Sequence, residues 1–144
     1  MVRLGNNRGQ HYARTILALD DDFDIVTLIR SSLQRRGFDV FAFTDPHLAL
    51  EHFELNATAY GLIISDVRMP GMNGFEFVRK VKEIKPDIRV FLMTAFQITD
   101  IEFSRLLPST IAVDSIIQKP ISIENLSILV QNHVKVTRKP NQQQ

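Results

Sequence analysis

Residues 61–74 read GLIISDVRMPGMNG, and this stretch decides the fold. Leu62, Ile63 and Ile64 follow one another with no polar residue between them. A strand that is apolar on both faces needs cover on both faces, which is the condition of a parallel sheet sandwiched between helices. The run stops on a lone acid, Asp66, and passes at once into Pro70, Gly71, Asn73 and Gly74, residues that build turns. A carboxylate therefore stands at the last position of a buried strand.

The pattern repeats on either side. TILALD (15–20) is a short apolar run, again ending on acids. DIVTLIRSSLQRRGF (24–38) carries Ile25, Leu28, Ile29 and Leu33 at helical spacing, with Arg35 and Arg36 in the last turn and Gly37 as the stop. DVFAFT (39–44) is strand-like, and Asp45-Pro46 supplies a cap and first-turn proline for a helix bearing Leu48, Ala49 and Phe53. Beyond the Pro/Gly loop, FEFVRKVKEI (75–84) sets Phe75, Val78 and Val81 on one helical face, and IRVFLMT (88–94) is a further strand. DSIIQ (114–118) is another, and after Lys119-Pro120 the helix SIENLSILVQNHVKV aligns Ile123, Leu126, Val130 and Val134. Residues 97–112 fit a short or irregular fourth helix, since Pro108 ends any helical pattern there.

Strands and amphipathic helices in strict alternation predict an α/β fold: a doubly wound, five-stranded parallel sheet with helices on both faces. The core is expected over 15–136, between polar flexible tails at 1–14 and 137–144. With 17 basic and 16 acidic residues the net charge is +1, so charge gives no argument for nucleic acid or a membrane as partner. The absence of cysteine excludes disulfides, thiol catalysis and cysteine metal sites, and the four histidines lack metal-ligand spacing. No apolar run reaches the roughly 20 residues that cross a bilayer, and the N-terminus lacks a signal-peptide core, so a cytoplasmic protein is expected.

In an open parallel sheet, ligands bind beyond the carboxyl ends of the strands. Those ends carry Asp20, Asp21 and Asp22 from the first strand, Asp66 from the third, Thr94 from the fourth and Lys119 from the fifth. Neighbouring strands lie about 4.8 Å apart, so these groups converge. Crowded carboxylates raise one another's pKa unless a cation joins them, and Mg2+ suits a site of a few carboxylates and waters. A hydroxyl and an ammonium beside them suit an anionic oxygen cluster. The constellation matches phosphoryl transfer to a carboxylate: Asp66 attacks phosphorus, Lys119 neutralises the transferring group and Thr94 hydrogen-bonds one of its oxygens.

With these residues in view, the chain from 15 to 136 resembles a response regulator receiver domain, the phosphoacceptor half of two-component signalling. The matching segments are LALDDD, LIISDVRMPGMNG, FLMTA and IIQKP. The resemblance implies a flavodoxin-like receiver fold with Asp66 as phosphorylation site and Asp20 and Asp21 as acids that, with Asp66 and the carbonyl of Arg68, bind Mg2+ or Mn2+. It further implies Thr94 as the hydroxyl switch residue, Lys119 as the family's lysine, and a cis Lys119-Pro120 bond. The implied donor is a histidine kinase or phosphotransfer protein. The implied output is an unidentified protein or self-association, with little turnover by the domain itself.

Three positions depart from the family. Its switch aromatic lies three residues before the lysine, where this chain has Ile116, which has no ring to swing. The interval between Thr94 and Lys119 is longer than usual, and Ile121 follows Lys-Pro where the family often has Phe. These departures predict a non-standard readout. Arg68 and Phe96, two residues after Asp66 and Thr94, are expected to restrict the water that attacks an acyl phosphate. Two other readings stay open: a degenerate receiver that binds partners without phosphorylation, and a haloacid-dehalogenase-type phosphatase with its nucleophile in DDDFD.

Overall fold

Five strands form among the described residues, and the three inner ones lie where an apolar run allowed burial on both faces. They are β1 (Thr15–Leu19), β2 (Asp39–Phe43), β3 (Tyr60–Asp66), β4 (Arg89–Thr94) and β5 (Ser115–Gln118). Among the described residues four helices accompany them, α1 (Phe23–Gln34), α2 (Pro46–Asn56), α3 (Gly74–Ile84) and α4 (Ile123–His133), and a 3-10 turn, Ala57–Ala59, leads into β3. The computed structural model describes residues 14–95, 105 and 112–134. The expected tails and irregular helix over 97–112 lie outside the described residues, apart from Arg14, Arg105 and Ala112, and so does Phe96.

All strand pairs are parallel, in the order β2-β1-β3-β4-β5. The predicted doubly wound sheet is therefore the observed one. Its side chains alternate between two cores with the period-2 rule of a strand. Leu17, Leu19, Ile63, Val90 and Leu92 meet Phe53, Phe77, Val78 and Val81 of α2 and α3. Ile16, Ala18, Leu62, Ile64, Phe91 and Met93 meet Ile29 and Leu33 of α1 and Leu126 and Val130 of α4. Each large apolar side chain buried in this way contributes about 1.5–3 kcal/mol, which is why β1, β3 and β4 tolerate almost no polar residue before their ends.

The helices begin at the caps the sequence offers. Asp22, Asp45, Asn73 and Ser122 each accept a backbone N–H of the first turn. Two helical faces differ from expectation. On α1 the buried stripe is Val26, Ile29, Ser32 and Leu33, and Leu28 stands half-exposed, about 100° round the helix from Ile29. On α2, Ala49 and Phe53 are buried as expected, but Leu48 points outward while His52 and Asn56 complete the inner stripe. Helix α1 also ends at Gln34, two residues earlier than Arg35 and Arg36 suggested, and Arg36 instead folds back to donate to the Ser32 carbonyl at 2.9 Å.

Candidate functional site

Register determines which strand ends meet. Leu19 of β1 pairs with Ser65 of β3, so Asp20 and Asp66, each one residue further, emerge side by side. On the other flank Asp66 pairs with Met93, and Thr94 with Gln118, which brings Lys119 over the same edge. The Lys119 ammonium lies 2.7 Å from Asp20 Oδ2 and 3.2 Å from Asp66 Oδ1. One cation thus bridges two buried carboxylates. The peptide after it, Lys119-Pro120, is cis, as the family resemblance implied.

The acids differ in setting. Asp20 is fully buried, and its Oδ1 accepts the Asp22 amide at 2.9 Å. Asp66 is nearly so, and its Oδ1 accepts the amide of Val67 at 3.0 Å. Asp21 faces solvent. Burial raises the carboxyl pKa of Asp20, and the charge of Asp66 adds to the rise against the opposing pull of Lys119. Burial likewise raises that of Asp66, with Lys119 and the Val67 amide opposing and Asp21 adding. Burial alone would lower the Lys119 ammonium, but its contacts with Asp20 and Asp66 outweigh this and the net direction is up.

Three carboxylates around one ammonium leave negative charge over. Oxygens of Asp20, Asp21 and Asp66 all lie within 4.8 Å of one another. Asp20 Oδ2 is buried without a hydrogen bond of good direction, although Lys119 Nζ approaches it closely as an ion pair. A buried carboxylate oxygen left in that state, in an all-oxygen donor set, fits a hard divalent cation such as Mg2+.

The loop beyond Asp66 is held close by two glycines. Gly71 adopts φ +87°, a left-handed conformation that favours glycine, and packs its backbone beside the His47 ring. Gly74 donates to the Val67 carbonyl at 2.7 Å. A Cβ on Gly74 would lie 2.2 Å from the carbonyl oxygen of Asp66, so only glycine fits where α3 starts against the acid's own backbone. Sequence reading placed this glycine in a turn and missed its contact with Asp66; the Asn-Gly pair directly before an apolar helix was the available signal.

Thr94 is buried at the end of β4, and its carbonyl accepts the Lys119 amide at 2.8 Å. The same carbonyl accepts Gln118 Nε2 at 3.2 Å, a contact without a signal in the sequence. Ile116, at the position of the family's aromatic, is 45% exposed on β5, an edge strand of the sheet. Arg68 is exposed.

This arrangement has counterparts among known proteins. The family profile described as "Response regulator receiver domain" matches residues 16–131. The chain belongs to the response regulator receiver domain family. It is 32% identical over 109 residues to the alkaline phosphatase synthesis transcriptional regulatory protein PhoP of Bacillus subtilis, covering 76% of this chain and 43% of that protein. It is 37% identical over 82 residues to the C4-dicarboxylate transport transcriptional regulatory protein DctD of Rhizobium meliloti, covering 57% of this chain and 17% of that one. The chain thus spans less than half the length of these two relatives. Among solved structures it is similar to the chemotaxis protein CheY4 of Vibrio cholerae, with TM-score 0.71 and 28% identity over 83% of this chain and 97% of that one.

Proposed function

We propose that this chain accepts a phosphoryl group on Asp66 and reports it by changing its contacts with another protein. The observation that carries the reading is the ammonium of Lys119, set between Asp20 and Asp66 at 2.7 and 3.2 Å. A carboxylate oxygen of Asp66 attacks phosphorus; the bond from phosphorus to the donor's nitrogen breaks, and an acyl phosphate forms. The donor is a phosphohistidine of a kinase or phosphotransfer protein, whose imidazole leaves with the bonding electrons and takes a proton. Lys119 follows the growing charge on the phosphoryl oxygens, and the Thr94 hydroxyl hydrogen-bonds one of them. A divalent ion held by Asp20, Asp21, Asp66 and the Arg68 carbonyl would supply charge neutralisation at the same oxygens. The chain's own contribution is position: register and the Gly74 contact hold the nucleophile rigid at the sheet edge.

Turnover is slow on this reading, because Arg68 and Phe96 restrict the water that would hydrolyse the acyl phosphate. We place the protein in the cytoplasm, where a histidine kinase donor acts; no helix among the described residues is long and apolar enough to cross a membrane. The output partner is a protein or a second copy of the chain. A phosphorylation-independent receiver is the second reading, supported by the ring-free and exposed Ile116.

Incubation with phosphoramidate and Mg2+, followed by intact mass measurement, tests the first reading. One phosphoryl group, about 80 Da, is expected on the unsubstituted chain and not on Asp66→Asn. An unmodified chain, or equal labelling of the variant, would sink it.

A further inference from the structure

We infer that Gln118 is a positioning residue for the phosphoryl site, tying the backbone of Thr94 to β5 by its side-chain amide. The inference rests on the phosphoacceptor reading of Asp66. Thr94 and Gln118 are the last paired residues of β4 and β5. The Thr94 carbonyl takes its ladder hydrogen bond from the Lys119 amide at 2.8 Å and a second, from Gln118 Nε2, at 3.2 Å. A carbonyl has two lone pairs and both are used. The same nitrogen lies 3.5 Å from the Lys119 carbonyl. The amide's orientation follows from chemistry: the oxygen of Gln118 in that place would face two carbonyl oxygens.

The consequence is a short chain of contacts. From the Thr94 carbonyl it runs through the Gln118 side chain to the Gln118 backbone, on to Lys119, and from the Lys119 ammonium to Asp66 at 3.2 Å. The two groups that must meet the phosphoryl oxygens, the Thr94 hydroxyl and the Lys119 ammonium, are thereby fixed relative to each other. β5 needs such help, since it is four residues long and pairs on only one side. The last pair of a short edge strand frays readily without added bonds.

Gln118 also lies two residues from Ile116, on the same face of β5 by strand alternation. Any movement of Thr94 toward a bound phosphoryl group pulls on the Gln118 amide and so on the strand that carries Ile116. A ring is not required for this link. A donor is.

Gln118→Met keeps the length and neutrality of the side chain and removes the donor. Gln118 is exposed, so the substitution leaves the core intact, and the loss of one hydrogen bond lowers the melting temperature by no more than about 4 °C. Gln34→Met, at an exposed site on α1, serves as control. Phosphoramidate labelling is followed by intact mass, and the amide resonance of Ile116 is compared before and after labelling. Loss of one hydrogen bond at the site predicts labelling about fivefold slower in Gln118→Met. It also predicts that the Ile116 amide no longer shifts on labelling, with Gln34→Met unchanged in both respects. Unaltered labelling and an unaltered Ile116 response in Gln118→Met overturn the assignment of Gln118 alone. An unsubstituted chain that takes no phosphoryl group overturns the phosphoacceptor reading, and this assignment with it.

Discussion

The two ends of the sheet handle half-buried charge in opposite ways. At the amino ends, Lys85 donates to the carbonyls of Ala57 and Tyr60, and Lys82 to that of Ile88 at 2.6 Å. Asp114 accepts the Val90 amide at 2.8 Å and faces Arg89 at 3.8 Å. Burial lowers the pKa of both lysines, with nearby acids opposing, yet each ammonium ends on backbone oxygens that cannot move away. At the carboxyl ends, Asp20 and Asp66 share one ammonium, and Asp21 adds further negative charge beside them. One end is internally satisfied and holds the fold. The other gathers three carboxylates whose oxygens could hold a divalent cation, the kind of clustered, perturbed acids found at functional sites.

That contrast can be broken most severely at Gly74. Gly74→Ala must move the carbonyl of Asp66 or the start of α3, since the added carbon would sit 2.2 Å from that oxygen. A loss of about 3 kcal/mol in urea unfolding is expected, together with loss of labelling at Asp66. A variant as stable as the parent would mean the carboxyl end is not held by this contact.

Lys85→Met probes the satisfied end. It strips the carbonyls of Ala57 and Tyr60 of a charged donor and should cost about 1–3 kcal/mol, with the labelling rate unchanged. If labelling fell with stability, the two ends would not be independent.

Asp20→Asn gives the smallest effect and the opposite sign. Burial raises the Asp20 carboxyl above its ordinary value of 3.8, so its contribution to stability is complete below that value and is lost as pH rises through the higher folded value. Lys119 keeps Asp66 as partner, so no buried charge is orphaned by the change. Without divalent ions at pH 7, the variant should unfold about 1 kcal/mol later than the parent. The gain should vanish as the pH falls to 3.8, and millimolar Mg2+ should favour the parent instead. A variant less stable at pH 7 without metal would contradict the account of surplus charge.

Much of this was legible in the sequence because it follows from burial. Leu62 to Ile64 could only be a strand covered on both faces, and Asp20, Asp66, Thr94 and Lys119 stood at strand ends by their place after apolar runs. Parallel order then brought Asp20, Asp66 and Lys119 together. What was not legible depends on distances across the fold. Leu28 and Leu48 fit helical spacing but face outward, because a stripe of four positions can rotate by one residue and keep its period. Gly74 looked like an ordinary turn residue until the approach of Asp66's carbonyl was seen. Gln118 carries no pattern at all, since a polar residue on an exposed strand face is ordinary.

Identification of the labelled acid tests the central claim most directly. The chain is labelled with phosphoramidate and Mg2+, the acyl phosphate is reduced with borohydride, and the modified residue is located by peptide sequencing in a mass spectrometer. The account predicts reduction at Asp66 alone. Reduction at Asp20 would instead make the first strand's acid the nucleophile and contradict the phosphoacceptor assignment.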